Sequence, residues 1–406
     1  MRYGYWMPVF GGWLRNVEDE NMAATWDYAK RLAIRSEQIG FDLTLIAELN
    51  LNDIKGTDAP CLDAWSTAAA LAAVTQKQEL MVAVRPAYHA PALLAKQAAN
   101  IDNISGGRLS LNVVSSWWAD EARQYGVTFD RHEDRYARTE EWLAVVNGLW
   151  TQERFTHSGA LYQVEDAILS PKPVSKPRPM VYAGGESEAA KELIARTCDA
   201  YVMHGDPPER VGEKVADMRA RRERLGLPPM TFGVAGYAIV RDSEAEAETE
   251  RRRITDVQQN AAGYANYQQW LAGTQLERQV SLEDYSVSNR GLRSGLVGTP
   301  AQVQDQVGAF EAVGVDLLLL QFSPQYEEME RFGETVIGGR AILRHKPLVR
   351  RRLARVELPQ PKRLLVAVHE GQVDSLRVPG GGAGVGHVVQ VAARRGQLVG
   401  FGARRL

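Results

Sequence analysis

DLLLLQFS, residues 316–323, sets four leucines in a row between an acid and a serine. A half-buried strand would alternate apolar and polar residues. An unbroken apolar run fits a strand covered on both faces, as in a parallel sheet. Runs of the same kind recur along the chain: RYGYWMP (2–8), DLTLIA (42–47), LMVAVRP (80–86), LSLNVVSS (109–116), PMVYAGG (179–185), AYVMHG (200–205) and TFGVAGYAIV (231–240). Amphipathic segments lie between and beside them, at 23–39, 62–74, 92–104, 134–150, 187–197, 208–225, 243–263 and 300–313. Some open on cap-forming residues, such as Thr299 before Pro300. Eight strands alternating with helices predict an α/β fold, a (β/α)8 TIM barrel with insertions. A doubly wound open sheet would alternate similarly, but no GxGxxG follows the first run to support it.

Two connections are longer than the rest. Residues 151–178 carry prolines and a glycine and predict a short hairpin-like excursion. Residues 264–297, between the seventh and eighth strands, are polar and rich in aromatics and arginine. A long loop at the C-terminal face of a barrel reads as a lid over the site built there.

The bulk numbers bound the function. The 406 residues are 45% apolar, enough for a large core. No apolar run approaches the ~20 residues that span a bilayer, and MRYGYWMPVF lacks the pattern of a signal peptide. A cytoplasmic protein away from membranes is expected. Cys61 and Cys198 are far apart and form no CxxC, so no metal site is expected. The net charge of −2 argues against a nucleic-acid binder. That average hides a split. Residues 338–406 hold 14 Lys and Arg against 3 acids; the first 337 hold 34 against 47. We therefore divide the chain into a barrel domain, 1–337, and a basic Gly/Arg-rich tail, 338–406. Two readings of the tail stay open: an interaction extension, or the product of a shifted reading frame near residue 338. Either way it is expected to be poorly ordered and without a catalytic role.

The chain has no HExxH, GxSxG elbow or Walker loop. If it is an enzyme, a bound organic cofactor carries the hard step. The strand ends offer a place for one. Asn112 stands at the end of the fourth strand, with Glu121 in the next turn. AGGES (183–187) gives free backbone N–H groups and the Ser187 hydroxyl at a helix start, which suits a phosphate. FDRHEDRYARTEEW (129–142) opens a charged helix whose Arg135 and Tyr136 can reach the same anion. From spacing alone, an ordinary turn and a solvated helix face account for these segments equally well.

Resemblance narrows the choice. YWMP (5–8), CLDAW (61–65), AVRP (83–86), KQAANIDNISGGRLSLNVVSSW (96–117), HEDRYARTEEW (132–142), YAGGES (182–187), HGDPP (204–208) and GLVGTP (295–300) stand in the order found in bacterial-luciferase-like flavin monooxygenases. The chain most resembles the alkanesulfonate, methanesulfonate and dimethyl-sulfone monooxygenase branch, across about residues 1–337. The resemblance implies a two-component monooxygenase. A separate NAD(P)H-flavin reductase would supply reduced FMN, and O2 would oxidise a small organosulfur compound, an alkanesulfonate or a sulfone, with C–S cleavage. It implies Arg135, Tyr136 and Ser187 at the FMN phosphate, Asn112 and Glu121 against the flavin, and Ala47 and Glu48 beside it. It also implies a homo-oligomer, a dimer or tetramer. Trp6, Trp13, Trp117 and Trp118 are expected to form dry walls, which such chemistry needs. Candidate substrate partners are Arg85, Arg290, Arg293, Tyr237 and Cys61, with His89 and His204 as further polar groups. The chain departs from the resemblance at Ala235 and Tyr237, where alkanesulfonate monooxygenases carry arginine and histidine, and at Glu186, where many relatives carry serine. Two other readings are a deazaflavin-dependent hydride-transfer oxidoreductase and a non-catalytic flavin-binding barrel.

Overall fold

In a computed structural model of the chain, eight parallel strands close into a barrel. They are β1 (Arg2–Trp6), β2 (Leu43–Ile46), β3 (Glu79–Val84), β4 (Leu109–Val113), β5 (Met180–Ala183), β6 (Ala200–Met203), β7 (Thr231–Tyr237) and β8 (Leu317–Gln321). Neighbours in sequence are neighbours in the barrel, and β8 closes it against β1 with Arg2 opposite Leu317. The structure describes residues 1–115, 118–257, 262–273, 280–339, 387–394 and 397–405. Two compact units are present, Met1–Arg344 and His345–Leu406. In the second, His387–Arg394 and Gln397–Arg405 form an antiparallel hairpin; most of the remaining tail lies outside the described residues.

The helices that follow the strands are α1 (Trp26–Ile39), α2 (Ala64–Val74), α3 (Pro91–Ser105), α4 (His132–Thr151), α5 (Glu188–Thr197), α6 (Pro208–Arg224), α7 (Glu244–Thr255) and α8 (Pro300–Ala312). Local chemistry sets their ends. Thr25 and Asp63 cap α1 and α2 by accepting N–H bonds, and Thr299 closes α8 with Gln302 in a capping box. The strands are buried along almost their whole length because helices cover their outer faces and the barrel interior fills the rest. Leu317–Leu320 are fully buried, each such burial contributing about 1.5–3 kcal/mol. The expected excursion is an antiparallel pair, Phe155–Ser158 with Gln163–Ala167. The lid region contains short helices at Tyr267–Gly273 and Leu282–Tyr285 and a turn-rich stretch, Ser288–Ser294.

Candidate active site

Each strand ends at the same face of the barrel. There the residues just past the last ladder pairs enclose a cavity of about 300 Å³. Ala47 and Glu48 follow β2, Arg85 follows β3, Asn112 and Ser115 come from β4 and its end, Gly184–Glu186 follow β5, and His204 follows β6. Trp6, Phe10, Trp13, Val202 and Met203 supply apolar walls. Trp270, Val280, Tyr285, Val287 and Arg290 bring the lid region down to the same space.

One end of the cavity is built from hydrogen-bond donors. Ser187 caps α5, accepting the Ala190 N–H at 3.2 Å, and donates to the Tyr136 hydroxyl at 3.1 Å. Arg135 and Tyr136, adjacent on the first turn of α4, both line the cavity. The Arg135 guanidinium lies 4.9 Å from the centre of the Phe129 ring, and burial pulls its pKa below the ordinary arginine range. The turn between them must be glycine: a Cβ on Gly184 would sit 2.6 Å from the Val202 carbonyl. An arginine, two hydroxyls and a helix N-terminus around a side-chain-free turn fit a phosphate monoester, and the aromatic walls fit a flat ring system.

Comparison with known proteins decides what this arrangement belongs to. Residues 1–317 match the model of the luciferase-like monooxygenases. The chain belongs to the luciferase-like monooxygenase family. It is 33% identical over 376 residues to an FMNH2-dependent dimethylsulfone monooxygenase of Pseudomonas putida, covering 91% of this chain and 99% of that protein. A second such monooxygenase, of Pseudomonas fluorescens (strain Pf0-1), is 33% identical over 345 residues, with 83% and 93% covered. In fold, the chain resembles a riboflavin lyase solved with modified FMN and riboflavin (TM-score 0.72, 21% identity, 86% and 92% covered). It likewise resembles DmoA of Hyphomicrobium sulfonivorans (0.69, 19%, 85% and 88%).

Within this family member, the residues singled out from sequence separate into two groups. Ala47, Glu48, Asn112, Arg135 and Tyr136 line the cavity, and Ser187 joins them through Tyr136. The others are placed differently from expectation. Glu121 is fully buried off the cavity wall; its carboxylate takes both Arg85 terminal nitrogens, the Asn50 N–H and the Tyr88 hydroxyl. Arg85 does line the cavity, but it is spent on that carboxylate and on Glu48, 3.5 Å from its Nε, and it stacks on Tyr88. Burial alone would lower its pKa; the hydrogen bond and charge of Glu121, with Glu48, raise it instead. Arg293 pairs with Asp284 and does not line the cavity. Tyr237 is buried beyond the wall, which Ala235 forms. Cys61 also lies off the wall. Its thiol donates to the Leu49 carbonyl at 3.1 Å, and burial, then the Glu121 charge, push its pKa up to about 12. A thiol held protonated is a poor nucleophile. Trp6 and Trp13 are walls as expected; Trp118 is buried elsewhere, and Trp117 lies outside the described residues.

Arg290 belongs to a buried ion network. It pairs with Glu186; Lys214 of α6 bridges Glu186 at 3.1 Å and Asp206 at 2.7 Å. Burial would raise the Glu186 carboxyl, yet His204, Arg290 and Lys214 together hold it well below the usual carboxylate range. His204 is pulled down to about 4, by burial first and then by Arg290, partly offset by Glu186, so it is neutral at physiological pH. Its Nδ1 is buried without a hydrogen-bond partner among the described residues. The network rests on strained backbone: Asn289 and Arg290 both sit at left-handed φ, 56° and 54°, a conformation that costs about 1–3 kcal/mol and persists only where the surroundings enforce it. Gly205 enforces it. Its N–H bonds Asn289 O at 3.0 Å, and any Cβ there would lie 2.4 Å from Arg290 O.

Sequence reading missed the lid's anchor. Arg15 pairs with Asp53 at 2.6 Å, donates to Gly263 O at 2.8 Å and stacks on Tyr285 at 3.9 Å. Asn266 adds a bond to Asp53 at 3.1 Å. Nothing local in GGWLRN marks that arginine, because its partners come from positions 53, 263 and 285.

Proposed function

We propose that this chain is the oxygenase of a two-component system. It takes reduced FMN from a separate flavin reductase and uses O2 to cleave a C–S bond of a small organosulfur compound. The observation that carries this reading is the convergence of Arg135, Tyr136, Ser187 and the Gly184–Gly185 turn on one end of an aromatic-walled cavity, in a luciferase-like monooxygenase. Its relatives are named as FMNH2-dependent dimethylsulfone monooxygenases.

Each residue's part follows from its placement. Arg135 and the two hydroxyls would hold the phosphate of a bound FMN and so orient it. Trp6, Phe10 and Trp13 give the cavity apolar walls that would keep water out, which would otherwise let the reducing equivalents escape as H2O2. Asn112 offers an amide on the same wall. Glu48, held by the Arg85 backbone N–H at 2.7 Å and by His89 at 2.5 Å, presents a fixed carboxylate on the same wall. Reduced FMN supplies the two electrons that activate O2. One oxygen atom enters the carbon next to sulfur and the other leaves as water, so a sulfone yields an aldehyde and a sulfinate, and a sulfonate yields an aldehyde and sulfite. Lid residue Tyr285, stacked on Arg15, and Trp270, packed 5.1 Å from the Tyr285 ring, line the cavity.

We assign this chemistry to residues 1–337 and none to the tail, and we expect a cytoplasmic homo-oligomer. No helix among the described residues is long and apolar enough to cross a membrane. The test is coupled turnover: the protein with a flavin reductase, NADH, FMN and dimethyl sulfone or alkanesulfonates. Aldehyde release that requires O2 and the reductase is expected. NADH consumption ending only in H2O2, across both substrate classes, would overturn the reading.

A further inference from the structure

Three cations of the cavity wall face carboxylates. Arg15 faces Asp53, Arg85 faces Glu121 and Glu48, and Arg290 faces Glu186, with all three arginines buried. A sulfonate needs cationic or N–H partners to leave water. An uncharged sulfone needs only modest hydrogen bonding and apolar walls. The pair that matters is Glu186 with Arg290. Both line the cavity, both are nearly fully buried, and Lys214 is tied into the same carboxylate. Beside them on the cavity lining stands His204, which carries no charge and whose buried Nδ1 has no hydrogen-bond partner among the described residues.

We propose that Glu186 is a specificity determinant: by occupying Arg290, while Asp206 holds Lys214, it makes this wall of the cavity electrically neutral, so that the site takes an uncharged sulfone and refuses sulfonate anions. The inference rests on the organosulfur monooxygenase reading and names the substrate class within it. A smaller neutral residue at 186 would leave Arg290 without its carboxylate, while Lys214 would keep Asp206. Arg290 is held in place by its own strained backbone and by Gly205 rather than by Glu186 alone, so a released guanidinium would remain at the wall, positioned to bind an anion. His204 stays as a neutral hydrogen-bonding group for an S=O oxygen.

The experiment compares wild type, Glu186→Ser, Glu186→Gln and the double variant Glu186→Ser/Arg290→Met. Methanesulfonate and dimethyl sulfone are titrated by ligand-observed NMR, first without flavin and then anaerobically with saturating reduced FMN. Circular dichroism establishes which variants are folded, and Glu186→Gln keeps the shape of the site if Glu186→Ser does not fold. We expect the single variants to bind methanesulfonate about tenfold or more tightly than wild type, the yield of one charge-assisted hydrogen bond. The double variant should return to the wild-type level, and dimethyl sulfone should change little throughout. No gain in a folded single variant would overturn the proposal, as would a gain that survives in the double variant. A gain that disappears once reduced FMN is bound would assign this wall to the cofactor and overturn it too. Failure of wild type to bind reduced FMN would strike the monooxygenase reading instead, and is read out separately in the same titration.

Discussion

Two arginines in the same barrel mouth have opposite fates. Arg85 and Arg135 both line the cavity and both are buried. Arg85 is clasped by Glu121 and Glu48, and its pKa rises; Arg135 stacks on Phe129, and burial lowers its pKa. The difference separates a cation that builds the wall from one suited to an arriving anion. Burying a matched pair contributes little net stability, but removing one member leaves an uncompensated charge. A buried arginine whose pKa is lowered gains most from a charged ligand.

The largest effect should come from breaking the matched side. Glu121→Gln is expected to destabilise the fold by about 3–5 kcal/mol, measured by urea unfolding, because Arg85, Asn50 N–H and Tyr88 all lose the same carboxylate. An unchanged midpoint would mean Arg85 is not a structural cation. On the other side, Tyr136→Phe with Ser187→Ala should weaken reduced-FMN binding by about thirtyfold, since each hydroxyl contributes roughly 1 kcal/mol. Stability should fall only by the lost helix cap, about 1 kcal/mol.

A third prediction concerns pH. His204 titrates near 4 in the fold against about 6.5 in an unfolded chain. Between those values the unfolded state binds more protons, so stability should rise with pH across this window and be lost as pH falls from about 6.5 towards 4. His204→Phe should flatten that part of a melting-temperature profile. Glu186 acts lower down: its depressed carboxyl stabilises the fold above the ordinary carboxylate range and stops doing so in stronger acid. The smallest effect is expected at Cys61. It should react slowly with iodoacetamide at pH 8, and Cys61→Ala should change turnover less than about threefold; rapid alkylation with loss of activity would return it to the active site.

The barrel was legible because each strand is a dense apolar run between polar segments. Every strand was located, and most readings ran too far at the C-terminal end. LSLNVVSS runs to 116 while β4 stops at Val113, and PMVYAGG runs to 185 while β5 stops at Ala183. The overrun has a physical cause: Val114, Ser115, Gly184 and Gly185 follow the strands and line the cavity. The donor-lined end of the cavity was legible for a related reason, since Arg135–Tyr136 and Gly184–Ser187 are contiguous motifs at helix starts. The ion pairs were not. Arg85 and Glu121 are 36 residues apart, Arg15 and Asp53 are 38 apart, and Arg290 and Glu186 are 104 apart. No local pattern announces such partners, so the sequence did not reveal that Arg85, Arg290 and Arg293, read as candidate substrate partners, pair with carboxylates.

The contrast between the two arginines is tested most directly by anaerobic titration of reduced FMN into wild type, Arg135→Ala and Glu121→Gln, followed by quenching of tryptophan fluorescence from Trp6, Trp13 and Trp270. Arg135→Ala should lose at least about tenfold in affinity, while folded Glu121→Gln should keep its affinity and lose stability. Unaltered binding by Arg135→Ala would show that the phosphate is held elsewhere and contradict the account.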